Sequence, residues 1–244
     1  MSLPEIVSHD EWVSARTHLL EREKELTRAR DALVADRRRL PMVEVTKDYR
    51  FEGPDGDAAL IDLFDGRHQL IVGHFMFDPS WNDGCSSCTA GADEMSPGHL
   101  EHLHVRDTTL AYVSRAPYAK LQDYKRRRGW TFPWYSSYGS DFNYDFHVSL
   151  DESVAPVQYN YRSATEHAEH GVGIEMAGEF PGRSSFLRDG DRVFHTYSVY
   201  ARGLETMGGS YYLLDETALG RQESWEEPKG RADAARDAQP DFAS

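Results

Sequence analysis

The sequence predicts an α/β protein: a mixed central sheet flanked by helices, with a long helix ahead of it. Three observations predict this class. The apolar run Leu70-Ile-Val-Gly-His-Phe-Met-Phe77 reads as a central strand covered on both faces, and Cys85-Ser-Ser-Cys88 opens a helix behind it. Thr108 to Ser114 reads as a second strand and Pro117 to Gly129 as a basic amphipathic helix, an order β-α-β-α that makes the two strands parallel. Finally, Ser184 to Tyr197 is a hairpin pattern with Asp189-Gly190 at its turn, which supplies an antiparallel edge.

The elements follow in order. Ser8-His-Asp-Glu11 is a capping box, and Trp12, Leu19, Leu20, Leu26, Leu33 and Val34 recur amid dense charge as far as about Arg39. The pattern predicts a long amphipathic helix ending at Pro41, whose apolar stripe is covered by its own domain or by a second subunit. Met42 to Thr46 and Tyr49 to Glu52 alternate as strands, and the turn Gly53-Pro-Asp-Gly56 leads into Ala58 to Phe64 to give an edge hairpin. The helix after the cysteines runs to about Met95, and Ser96 caps a second short one with Pro97 as its first residue. Leu100 and Leu103 are its inward positions, which leaves His99, His102 and His104 solvated.

Gly129 caps the basic helix, and Lys125-Arg-Arg-Arg128 is read as a solvated face at its C-terminus. In the aromatic stretch 130–146, Ser140 caps a short helix on which Phe142 and Phe146 share a face; core packing is favoured over a substrate groove. Tyr159 to Gly178 reads as an irregular insertion, and Gly203 to Leu214 as a helix covering the sheet. The expected organisation is a helical arm over 1–41, one domain over 42–227 with an insertion around 155–180, and a disordered tail over 228–244.

Composition excludes whole classes of function. With 39% hydrophobic residues over 244 positions the chain can bury one sizeable core. Its 41 acidic against 27 basic residues, net −14, disfavour nucleic acid and anionic membrane surfaces. No apolar run approaches the roughly 20 residues of a membrane helix, and Met1-Ser-Leu-Pro-Glu5 lacks a signal pattern, so a cytoplasmic location is expected. In a reducing compartment a close thiol pair is more often catalytic or metal-binding than structural.

The two cysteines are the only ones, three positions apart, a spacing that random placement gives in about 1% of such chains. At the mouth of a helix, Cys85 lies where unpaired N–H groups and the macrodipole stabilise a thiolate, and Cys88 sits one turn on, on the same face. That arrangement suits thiol–disulfide exchange. A structural bridge closes too small a loop to contribute much, and no common zinc spacing joins the pair to the downstream histidines; inert buried thiols are the remaining alternative. Asp78, Asp83, Asp93 and Glu94 flank the pair, and no Lys or Arg lies between Arg67 and Arg106. Carboxylates oppose a thiolate, so the helix terminus, Ser86, Ser87 and Cys88 have to stabilise it, and a moderate lowering of the Cys85 pKa is expected.

The layout resembles the thioredoxin-like fold, with a peroxiredoxin-like arrangement in Thr131-Phe-Pro-Trp-Tyr-Ser-Ser and Tyr144-Asp-Phe-His-Val148. More specifically, Glu11-Trp12, Glu23-Lys-Glu-Leu26, Arg38-Arg-Leu-Pro41, His74-Phe-Met-Phe77, Trp81-x-x-Gly-Cys-x-x-Cys88, Ser136-Ser-Tyr-Gly-Ser-Asp-Phe-Asn143, Phe194-His-Thr-Tyr197 and Ala201-Arg-Gly203 resemble DUF899, a family described as predicted dithiol–disulfide oxidoreductases. The resemblance implies Cys85 as the attacking and Cys88 as the resolving thiol, with Trp81 shielding them. It places His74 where thioredoxins hold a buried proton-transfer acid, a position a satisfied core histidine fills equally well. Gly182 falls where thioredoxins have a cis-proline, Pro181 coming one residue early. It implies a protein or small-molecule disulfide or thiol as substrate; no cofactor and no metal are expected, and the net negative charge leaves no nucleic-acid or membrane partner expected. A homodimer through the N-terminal helix is the expected assembly. Thiol peroxidase chemistry and a non-enzymatic binding or scaffold role are the alternatives.

Overall fold

The computed structural model describes residues 4–171, 175–207 and 229. The chain divides into two compact units, one holding the N-terminal helix as far as Pro41 and the other beginning at Met42. In the first, α1 spans His9–Arg37 and opens on the capping box, with the Ser8 side chain accepting from Glu11 N–H and Glu11 returning to the Ser8 backbone. None of its residues is buried, and Trp12, Leu19, Leu26 and Leu33 are exposed.

The second unit is built on an eight-stranded sheet. Its strands are β1 (Val43–Glu44), β2 (Arg50–Gly53), β3 (Gly56–Ala59), β4 (Gln69–His74), β5 (Thr108–Ser114), β6 (Trp134–Ser136), and, after a small pair β7 (Ser149–Leu150) and β8 (Gly178–Glu179), β9 (Gly182–Asp189) and β10 (Arg192–Tyr200). The spatial order is β1-β10-β9-β4-β5-β6-β2-β3. Within it, β4 runs parallel to β5 and antiparallel to β9, and β9 pairs antiparallel with β10. That four-strand centre is the thioredoxin-like arrangement. Between strands lie α2 (Ser86–Asp93), α3 (Pro97–His104), α4 (Tyr118–Arg128), α5 (Phe142–Asp145) and α6 (Ala164–Glu169).

Side-chain alternation along β4 assigns two core layers. Leu70 and Val72 face a layer with Phe64, Val113, Phe142 and Phe186, while Ile71 faces the other, with Phe75, Phe77, Leu110, Leu121, Trp130 and Trp134. The second layer receives Cys88 and Met95 from the thiol segment. Gly73 shows how tightly it is filled: a Cβ there would lie 2.7 Å from the Tyr112 ring.

Several expectations are corrected. The β9/β10 hairpin is not the sheet edge, because β1 pairs outside β10 and β4 closes its other side. Strand pairing after Gly56 stops at Ala59, and Asp62–Phe64 turns as a 3-10 helix that buries Leu63 and Phe64. Trp134–Ser136 is a strand pairing with β5, hidden in the sequence by its aromatic surroundings. The N-cap of α5 is Asp141, and Ser140 instead accepts from Phe142 N–H at 3.4 Å. The insertion carries a capped helix, with Ser163 and Glu166 forming a reciprocal box ahead of α6. The helix expected over 203–214 begins as a 3-10 turn, Ala201–Met207, and its remainder, like the 228–244 tail apart from residue 229, lies outside the described residues.

Candidate dithiol site

The site is assembled at the end of β4, where the chain leaves the sheet and returns. Cys85 N–H donates to Met76 O at 2.9 Å, which pins the start of α2 against the strand exit. Gly84 is needed just before it, since a Cβ would stand 2.5 Å from the Phe75 ring. Cys85 is the N-cap of α2, and its carbonyl accepts the Thr89 N–H and the Thr89 hydroxyl, both at 2.9 Å. The Thr89 hydroxyl in turn meets Tyr124 Oη at 2.9 Å, so the first turn is bonded to α4.

Both thiols are free and partly exposed. The Cys85 sulfur accepts from the Cys88 S–H, from the Cys88 and Ser87 backbone N–H groups and from the Ser87 hydroxyl, which together bring its pKa down to about 6 against burial. The Cys88 S–H is the largest of these influences. Cys88 moves the other way: its hydrogen bond to Cys85, its burial and the neighbouring negative charge push its pKa well above the ordinary range, opposed by the Met76 backbone. One proton is therefore held between two sulfurs, on Cys88.

The flanking carboxylates do not reach the sulfurs as bare charges. Asp78 pairs with Arg115, Asp83 with Arg127 at 2.6 Å, and Asp93 with Arg128 and with Trp130 Nε1–H. Lys120 Nζ donates to the carbonyls of Pro79 and Trp81 at 2.6 and 2.8 Å. Cations invisible within 67–106 thus come from the segment Arg115 to Arg128 and hold the whole thiol loop. This corrects the reading of 125–128 as a merely solvated face.

Arg115 has a second duty. Its Nε donates to Glu179 Oε1 at 2.7 Å and Nη1 to Tyr144 Oη at 3.0 Å, while Ser149 Oγ donates to the same carboxylate. The Glu179 side chain is 1% exposed, and its burial raises its pKa against the opposing Arg115 charge. Arg115→Met leaves that carboxylate without a cation and frees the thiol loop at Asp78; urea unfolding is expected to show a loss of about 3–5 kcal/mol. Arg115 also lines a cavity of about 600 Å³ with Tyr144, Leu150, Asp151 and Met176. Neither cysteine lines it.

The other sequence-predicted residues separate. His74 is 4% exposed and belongs to the layer opposite Cys88, stacked on Phe142 and Phe146, with Nε2 2.8 Å from Ser184 Oγ. Burial and the His195 charge lower its pKa to about 3. It is a neutral core histidine, and the sheet stands between it and the thiols. Trp81 is 36% exposed, and its carbonyl accepts from Lys120 Nζ. Gly182 does open β9, paired with His74, in a space where a Cβ would stand 2.9 Å from Val148. Sequence reasoning missed Tyr112, Tyr159 and Arg183. A charge on Cys88 would act on both tyrosines, and that of Arg183 acts on Tyr112. Strand register brings Tyr112 and Arg183 together across Gly73.

Among the described residues no three His, Cys, Asp or Glu side chains converge to hold a metal ion, and no helix is long and apolar enough to cross a membrane.

Comparison with known proteins gives a match to a family model described as "Bacterial protein of unknown function (DUF899)" over residues 1–237. No curated protein matches. Similar solved structures include peroxiredoxin Q of Xanthomonas campestris, with 11% identity over 66% of this chain and 86% of that one and a TM-score of 0.42. Peroxidoxin BcpB of Mycobacterium tuberculosis has 15% identity over 67% and 86%, with a TM-score of 0.38. A candidate protein disulfide isomerase of Bacteroides thetaiotaomicron has 17% identity over 69% and 88%, with a TM-score of 0.40.

Proposed function

We propose that this chain, which belongs to the DUF899 family, is a dithiol–disulfide oxidoreductase in which Cys85 attacks and Cys88 resolves. The observation that carries the reading is the placement of the pair: Cys85 is the partly exposed N-cap of α2 and Cys88 lies one turn on, with Cys88 and Ser87 donors lowering the Cys85 pKa to about 6 while that of Cys88 is raised. The Cys85 thiolate attacks one sulfur of a substrate disulfide, forming a mixed disulfide and expelling the other half as a thiolate. That step removes the negative charge and the hydrogen-bond acceptor that kept Cys88 protonated. Cys88 then loses its proton and attacks the Cys85 sulfur, releasing the second thiolate. The substrate gains two electrons, the protein is left with a Cys85–Cys88 bridge, and an external dithiol restores it.

A steady-state assay coupling a dithiol reductant to a protein or small-molecule disulfide tests this; turnover well above the protein-free rate is expected, and a rate equal to it contradicts the proposal. The exposed Trp12, Leu26 and Leu33 of α1 support the accompanying reading of a homodimer clasped through that helix, which the mass in solution decides.

A further inference from the structure

Arg183 is a half-buried cation with no ion pair among the described residues, and its place in the sheet puts it on the thiol side. Strand register sets Tyr112 of β5, Gly73 of β4 and Arg183 of β9 in one row, with Gly73 paired to both neighbours. Directly paired residues point to the same face, and Tyr112 faces the layer that receives Cys88. Because Gly73 has no side chain, nothing from β4 stands between the Tyr112 ring and Arg183, and the ring leans over the glycine. Arg183 and Cys88 both lie close enough to the Tyr112 hydroxyl for a charge on either to act on it. A second path closes the triangle: Tyr159, on which the Cys88 charge also acts, donates its hydroxyl to Pro181 O at 3.1 Å, two residues before Arg183.

Among the described residues no carboxylate pairs with the Arg183 guanidinium, although burial works against its charge. A guanidinium that reaches solvent on a partly dehydrated face and has no anion of its own can take one from a ligand in a bidentate ion pair. Cys88 does not supply it at rest, since it keeps its proton. On a chain of net charge −14, an arginine on the thiol face with no ion pair among the described residues is also a selective feature for negative ligands.

We propose that Arg183 is a specificity residue that binds a carboxylate of the substrate, making this protein selective for low-molecular-weight disulfides that carry carboxylates near sulfur. This rests on the exchange reading above. The carboxylate forms an ion pair with the guanidinium while the Cys85 thiolate attacks the adjacent sulfur–sulfur bond; the electron and proton balance is that already given.

The test uses the reduced full chain and two chromogenic disulfides, anionic dithiobis-nitrobenzoate and neutral dithiodipyridine, in stopped flow. Arg183→Met is expected to slow the anionic probe about ten- to a hundredfold and the neutral one by no more than about twofold, with Arg183→Lys recovering part of the loss. Equal slowing of both probes assigns Arg183 to the Cys88 thiolate or to structure and overturns the proposal, as does no slowing of either. Should Arg183→Met not fold, an inert carboxylate, nitrobenzoate, added to the wild type at constant ionic strength decides: it slows the anionic probe selectively, or the proposal fails. Release of only one chromophore per protein, with the charge selectivity intact, removes the exchange reading and leaves the anion site standing.

Discussion

Replacing Cys88 with alanine is expected to raise the pH midpoint of Cys85 alkylation from about 6 toward that of a free thiol, about 8.5. The Cys88 S–H is the largest influence lowering the Cys85 pKa, and the backbone N–H groups of Ser87 and Cys88 remain after the change. The sign follows from which form reacts. Donors to a thiolate stabilise the deprotonated state, so losing one requires a higher pH to reach it, and iodoacetamide reactivity at neutral pH falls several-fold. The same variant cannot resolve. A mixed disulfide with the first half of the substrate accumulates stoichiometrically, which intact-mass measurement reads. An unmoved midpoint, or a variant that turns over without trapping substrate, contradicts the division of labour between the sulfurs.

Cys85→Ser carries the larger loss. A serine hydroxyl keeps its proton throughout the accessible range, so exchange is expected to fall by about a thousandfold or more. Cys88 does not take over. It loses the neighbouring charge that raised its pKa, yet it remains packed against the inner aromatic layer, one turn further into the helix than the position an incoming disulfide meets first. Circular dichroism and melting are expected to match the wild type, because the backbone bonds that seat residue 85 do not involve the sulfur. More than a few per cent of wild-type exchange in this variant contradicts the assignment of Cys85.

The sheet centre was legible because its signals are local. An unbroken apolar run, a Pro-to-Gly helix and an Asp-Gly turn each specify their own element, and β4, β5, α4 and the β9/β10 hairpin follow. The thiol pair was legible for the same reason, since the helix mouth and the Ser87 and Cys88 donors lie within four residues. What was not legible depends on sequence separations that periodicity does not carry. The cations that neutralise Asp78, Asp83 and Asp93 are 37, 44 and 35 residues away, and only the β5–α4 crossover brings them to the thiol loop. His74 looked suited to proton transfer from its place on the incoming strand. Alternation turned it to the far side, because Gly73 and Phe75 occupy the thiol side instead. Arg183 gave no signal at all, as its significance is set by register with Gly73 and Tyr112.

The central claim is that Cys85 and Cys88 interconvert between two thiols and one internal bridge as the protein's working cycle. Because Arg67 and Arg106 bound a stretch without Lys or Arg, trypsin releases both sulfurs on one peptide, His68–Arg106. After one equivalent of a substrate disulfide, mass spectrometry of that peptide should find it lighter by two hydrogens, unreactive to alkylation, and restored by a dithiol. A peptide that still takes up two alkyl groups, or one linked to a second protein molecule instead of to itself, contradicts the account.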